Sequence, residues 1–152
     1  MVRTESPICD FNLPAVEFEL KGVDGKLYGL NSLKGPNGLL VMFICNHCPY
    51  VKSIINQIIL DTKELAELGI NSVAIMSNDP NEYKEDSFEN MKKISSDLNF
   101  SFPYLLDEIQ EVAKASAWNS CFLDARLLKG VIKKLKTGSA KLNRTSAACD
   151  DG

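Results

Sequence analysis

The hydrophobic pattern of this chain changes period along its length, and each change predicts an element. Val16, Phe18 and Leu20 alternate with Glu17 and Glu19, Gly22-Val23-Asp24-Gly25 supplies turn residues, and Leu27, Tyr28 and Leu30 follow, which predicts a β-hairpin. After the turn signal Lys34-Gly35-Pro36-Asn37-Gly38 comes an apolar run over 39–44 without alternation, as in a strand covered on both faces. From Val51 the period lengthens: Val51, Ile54, Ile55, Ile58, Ile59 and Leu65 recur at three- and four-residue steps until Gly69, predicting an amphipathic helix with Pro49 in its first turn.

A second apolar run, Ile70 with Val73-Ala74-Ile75-Met76, makes 39–76 a strand, a helix and a strand, the βαβ unit that carries parallel strands. Asp86 and Glu89 have capping-box spacing ahead of Phe88, Met91, Ile94 and Leu98, predicting a helix over about 86–98. A short strand is expected from Phe102 to Leu106, and Asp107 with Gln110 repeats the capping signal before Ile109, Val112 and Ala113. A hairpin followed by alternating strands and helices specifies an α/β fold with helices on both faces of one sheet.

The chemistry concentrates where the first apolar run gives way to the helix. Cys45 and Cys48 stand there as Cys45-Asn46-His47-Cys48. A helix N-terminus offers unpaired N–H groups and the positive end of the dipole, so a sulfur held there is expected to be stabilised as thiolate. Cys45 is the expected nucleophile, and the spacing lets Cys48 resolve what Cys45 captures. Of the five cysteines, Cys9, Cys121 and Cys149 show no framework spacing, which argues against a secreted disulfide scaffold. A structural zinc needs about four ligands, and those cysteines with the single histidine offer no second paired spacing. Ser77-Asn78-Asp79-Pro80 reads as a turn and cap, and Tyr104 and Trp118 as core.

The remaining composition narrows the function classes. At 152 residues with 45% hydrophobic content, no linker composition and no internal repeat, the chain is expected to form one body over 1–136. A net charge of −3 provides no global positive field, so nucleic acid and acidic lipid are not expected partners. Neither a signal-like apolar run at the start nor a membrane-length segment occurs, and the expected address is the cytoplasm. No G-x-G-x-x-G fingerprint is present and no cofactor is expected.

A C-x-x-C at a strand-to-helix junction inside a βαβ unit resembles the thioredoxin superfamily. More closely, Gly22 to Lys26, Val41 to Val51, Ser77 to Asp79, Glu85 to Met91 and Phe102 to Glu108 resemble, in order, the bacterial redoxins of the alkyl hydroperoxide reductase and thiol-specific antioxidant family. The resemblance covers about residues 10–115 and implies a thioredoxin-like fold with Cys45 as nucleophile and Cys48 as resolving thiol. It implies a thiol-disulfide oxidoreductase acting on a protein or small-molecule disulfide, with electrons from another dithiol protein. His47 is similar to the histidine in the C-x-H-C of oxidising dithiol proteins, which implies that its imidazole tunes the Cys45 thiolate.

Two other readings stand beside this one. In a thiol peroxidase, Cys48 in its Cys-Pro context would align with the peroxidatic position. That reading lacks an arginine inside the matching region, since Arg3, Arg126 and Arg144 lie at or beyond its edges. The other alternative is a redox-inert or metal-binding thioredoxin-like domain. After Ala115 the chain departs from the family: no proline follows Pro103, so the Thr-Pro pair that the family places opposite the dithiol is absent. Leu127, Leu128, Val131, Ile132 and Leu135 instead have helical periodicity over about 124–136, and 137–152 reads as a disordered tail. The departure is the pattern expected of a truncated or frame-shifted gene.

Overall fold

A computed structural model describes residues 15–115 and Lys136. In it, β1 (Glu19–Gly22) and β2 (Leu27–Gly29) form the expected hairpin, with Leu20 opposite Tyr28. The turn between them places Gly25 at φ +82°, a conformation that glycine adopts without steric cost. The chain continues through α1 (Leu30–Leu33), β3 (Gly38–Phe43), α2 (Pro49–Glu67), β4 (Ile70–Met76), a 3₁₀ turn at Lys84–Asp86, α3 (Phe88–Asp97), β5 (Tyr104–Leu106) and α4 (Glu111–Ala115).

The five strands form one sheet in the order β2-β1-β5-β4-β3. β3, β4 and β5 are mutually parallel, and β1 runs antiparallel to β5. The expected βαβ unit is β3-α2-β4, with Val41 beside Val73 and Phe43 beside Ile75. Because side chains alternate across a strand, successive residues of β4 feed two different cores. Ala74 and Met76 join Met42, Ile44 and Tyr104 beneath Ile55, Ile58 and Ile59 of α2 and Met91 of α3. Val73 and Ile75 join Leu105 against Leu33 of α1 and Val112 of α4. Helices thus cover both faces of the mixed sheet. Each fully buried isoleucine of α2 contributes about 2 kcal/mol of apolar burial, so the anchoring of α2 follows from its stripe.

Glycine ends α2 in the manner its sequence predicts. Leu68 is the C-cap and Gly69 follows at φ +78°, while a Cβ on Gly69 would lie 2.7 Å from Asn37 Nδ2. Asn37 Nδ2 in turn donates to the Leu68 carbonyl at 2.8 Å, tying the turn before β3 to the end of α2. Gly69→Ala is expected to cost about 1–2 kcal/mol, measured as a lower urea midpoint with unchanged slope.

Two helix starts differ from expectation. α3 begins one turn position later than the Asp86/Glu89 spacing predicts, with Ser87 as N-cap accepting from the Asn90 N–H at 3.4 Å. A serine with extended backbone satisfies the same orphan donor, and Asp86 is released for another role. Before α4, Gln110 has φ +59° and Ile109 is 65% exposed, so Ile109 points outward rather than into the core. Asp107 does serve this helix: its Oδ2 accepts from the Ala113 N–H at 3.0 Å.

The Thr-Pro question, the Cys121 and Trp118 segment, most of the helix expected at 124–136 and the tail from 137 lie outside the described residues. Lys136 alone of that stretch is described, its Nζ 2.8 Å from Glu64 Oε2 on α2. No helix among the described residues is long and apolar enough to cross a membrane.

Candidate dithiol site

The backbone N–H of Ile44 donates to the Ile75 carbonyl at 3.1 Å, extending the β3–β4 ladder by one residue. Cys45 therefore emerges at the carboxyl edge of the parallel strands, the usual location of sites in such sheets. Asn46 and His47 form a bend, Cys48 is the N-cap of α2 and Pro49 its first residue. Proline costs nothing there, since its missing N–H would have been an orphan donor.

This arrangement corrects the expected placement of Cys45. Cys48, buried, occupies the helix cap, whereas Cys45, half-buried, lies three residues upstream in the loop. Burial pushes the Cys45 thiol up to about 11, because a thiolate loses hydration there. The Cys48 backbone N–H and the Asn78 side chain, both hydrogen-bonded to the sulfur, oppose that shift, while the Asp86 carboxylate and Cys48 add to it. The resting protein therefore holds Cys45 as a protonated thiol at neutral pH. The anticipated low-pKa thiolate is not what the environment produces. Both thiols are free.

The group that organises the loop is Asp86, 0% exposed, contributed by the 3₁₀ turn. Its Oδ1 accepts from the backbone N–H groups of Asn46 (2.6 Å) and His47 (3.2 Å), and its Oδ2 from Asn78 Nδ2 (3.0 Å). Oδ2 also lies 2.6 Å from His47 Nδ1. With the carboxylate accepting, Nδ1 carries the proton in that contact and Nε2 is left as the ring's basic nitrogen. Tyr83 stacks on the imidazole with centroids 4.0 Å apart and planes 2° from parallel, fixing the ring from the side.

Asn46 completes the frame. Its Nδ2 donates to the Glu85 carbonyl at 3.0 Å, and its Oδ1 accepts from the buried Tyr104 hydroxyl at 3.0 Å. Burial raises the Tyr104 phenol well above its ordinary value, so this hydroxyl stays a donor. The backbone N–H groups of Asn46 and His47, the Asn46 amide and His47 Nδ1 are thus tied either to the 3₁₀ turn or to β5. Beside Cys45 a groove of about 320 Å³ opens between α2 and α3, lined by Ile44, Val51, Ile55, Leu98 and Phe100, with Lys52 also facing it.

The structure brings together the three site residues expected from sequence: Cys45 and Cys48 through the Cys48 N–H, and His47 with Cys45 within one cluster that also holds Asp86. Sequence reasoning missed Asp86, Asn78, Asn46 and Tyr83. Asp86 was assigned to a helix cap, and Asn78 to a turn whose place at the sheet edge was the one available signal. Tyr104 is core, as expected, and also buttresses the site.

A C-x-x-C at the carboxyl edge of a mixed sheet, ahead of a helix that crosses to the next parallel strand, defines a thioredoxin-like protein of the redoxin class. The chain belongs to the AhpC/TSA family, whose model matches residues 12–120. Among solved structures it is similar to an uncharacterized conserved protein from Geobacillus kaustophilus, 31% identical, with TM-score 0.74 over 87% of this chain and 85% of that one. A hypothetical protein from Sinorhizobium meliloti 1021 is 25% identical, with TM-score 0.78 over 93% and 92% of the two chains. A thiol:disulfide interchange protein of the thioredoxin family from Chlorobium tepidum TLS is 27% identical over 65% and 64%, with TM-score 0.53. No curated protein matches the chain.

Proposed function

We propose that this chain is a thiol-disulfide oxidoreductase of a reducing compartment, the cytoplasm, using Cys45 and Cys48 without a bound cofactor. The observation that carries the reading is the pairing of a more exposed thiol, Cys45, with a buried one, Cys48, beside an imidazole held by a buried carboxylate. The likeness to a thiol:disulfide interchange protein supports it.

Because the resting thiol is protonated, attack requires a base at the moment of reaction. His47 accepts the Cys45 proton and Asp86 stabilises the resulting imidazolium, the logic of a nucleophile, a base and an orienting acid. The Cys45 sulfur then attacks a substrate R–S–S–R′, forming Cys45–S–S–R and expelling R′–S⁻, which takes up the proton. Cys48 loses its proton to solvent or His47, attacks the Cys45 sulfur and releases R–SH, leaving a Cys45–Cys48 disulfide. A second dithiol protein returns the two electrons. The apolar groove beside Cys45 suits an apolar side chain flanking the substrate cysteine.

The test offers the reduced protein a low-molecular-weight disulfide or hydrogen peroxide, each with dithiothreitol as terminal reductant. Turnover with the disulfide, and peroxide consumption no faster than by dithiothreitol alone, are expected. Rapid peroxide consumption with an untouched disulfide would make the peroxidase reading the correct one.

A further inference from the structure

We propose that Cys45, His47 and Asp86 form a binding site for a borderline divalent metal ion of the zinc class in the reduced protein. A sulfur, an imidazole nitrogen and a carboxylate oxygen from these residues all lie within 4.8 Å of one another. Tetrahedral zinc with bonds of about 2.0–2.3 Å holds its ligand atoms roughly 3.5 Å apart. Seating an ion therefore opens the 2.6 Å contact between His47 Nδ1 and Asp86 Oδ2 and draws the longer separations in, movements of about 1 Å, within reach of side-chain rotation at a loop whose backbone is already fixed.

Charge points the same way. Asp86 is wholly buried, and among the described residues its sole ionic contact is His47. Lys52 of α2 is engaged with Glu85 at 2.6 Å. A buried carboxylate is retained where it is paired or coordinates a metal, and an ion here would neutralise it. The donor set selects the ion: sulfur and imidazole disfavour Mg²⁺ and Ca²⁺, which demand oxygen, and suit zinc. Three protein ligands leave one position open for water or an added ligand. The Asn46, His47 and Asn78 N–H groups that hold the carboxylate provide the outer support that ligating groups require.

Binding replaces the Cys45 S–H bond by a sulfur–metal bond and releases that proton to solvent, while the imidazole proton moves from Nδ1 to Nε2 so that Nδ1, the nitrogen beside Asp86, takes the metal. The site rests on the cluster itself, and its link to redox state rests on the dithiol reading above. Once a substrate disulfide has taken two electrons and Cys45 is bonded to Cys48, no thiolate remains and the ion leaves. Metal occupancy and disulfide exchange would then exclude each other.

The experiment uses the full chain, reduced and desalted without oxygen, titrated with Co²⁺ as spectroscopic probe and then with Zn²⁺. One Co²⁺ per chain is expected, with thiolate-to-cobalt charge-transfer absorption in the near ultraviolet that stoichiometric Zn²⁺ abolishes. Cys45→Ser should remove the band, Cys48→Ser should retain it, and Asp86→Asn and His47→Asn should each weaken binding at least about tenfold. Melting by circular dichroism accompanies each variant, and His47→Asn carries the ligand test alone if Asp86→Asn does not fold. No charge-transfer band, a band undiminished in Cys45→Ser, or full affinity in His47→Asn would overturn the proposal. Cobalt binding without disulfide exchange leaves the site standing and removes the dithiol reading, and exchange without cobalt binding does the reverse.

Discussion

Cys45→Ser is expected to lower the rate of disulfide reduction by at least about 10³-fold, whereas Cys48→Ser should complete the first half-reaction and stop. The asymmetry follows from placement. Cys45 borders the groove and is the more accessible sulfur, while Cys48 is buried at the helix cap. With Cys48 gone, the mixed disulfide on Cys45 has no resolving partner held against it by the Cys48 N–H contact. Non-reducing electrophoresis should therefore show adducts accumulating with Cys48→Ser and far fewer with Cys45→Ser. Equal trapping by both variants would mean that the two thiols do not have distinct roles.

Substitution of Asp86 is expected to separate two properties that a simple thiolate model couples. Asp86→Ala leaves the N–H groups of Asn46 and His47 and the Asn78 amide without their acceptor, and should cost about 3–5 kcal/mol of stability. Asp86→Asn retains an acceptor oxygen for the loop but removes the negative charge that adds to the effect of burial in raising the Cys45 thiol. The Cys45 titration should move down from about 11, so more thiolate is present at neutral pH and iodoacetamide alkylation speeds up. Disulfide exchange should nevertheless slow by about 10²-fold, because the imidazole is no longer held by an acceptor at Nδ1 and its imidazolium is no longer stabilised. If exchange and alkylation both become faster, Asp86 acts on Cys45 by charge alone and the relay through His47 is wrong.

The elements that were legible in the sequence are those whose pattern is local. Alternation from Val16 to Leu20 and the Gly25 turn define the hairpin, and the isoleucine stripe and Gly69 define α2 within two residues of its observed end. The run at 39–44 reads as a two-faced strand because its side chains do feed two cores, Leu40 and Met42 on one side and Leu39, Val41 and Phe43 on the other. The start of α3 was misassigned because Asp86 and Ser87 are adjacent residues with the same capping chemistry, and only the fold decides which one faces the helix.

The site was half legible for the same reason. Cys45, His47 and Cys48 are neighbours in sequence, so their spacing announces them. Asp86 reaches them across forty residues, and nothing in a Lys84-Glu85-Asp86 tract distinguishes a buried acid from a solvated one. The chemical state of Cys45 was misjudged through register: a difference of three residues between cap and sulfur exchanges the helix dipole for a half-buried loop beside a carboxylate. The family resemblance carried the proposed roles of the two cysteines, but not the groups around Cys45 that the fold brings to it.

The most direct measurement is the order in which the sulfurs of the unmodified chain react. The reduced protein is mixed with one equivalent of a low-molecular-weight disulfide, quenched with acid at intervals, and each cysteine is assigned by peptide mass spectrometry. The account predicts a transient adduct on Cys45, followed by its loss as a Cys45–Cys48 disulfide appears with matching kinetics. A first adduct on Cys48, or full oxidation without any Cys45 intermediate and without a Cys45–Cys48 bond, would contradict it.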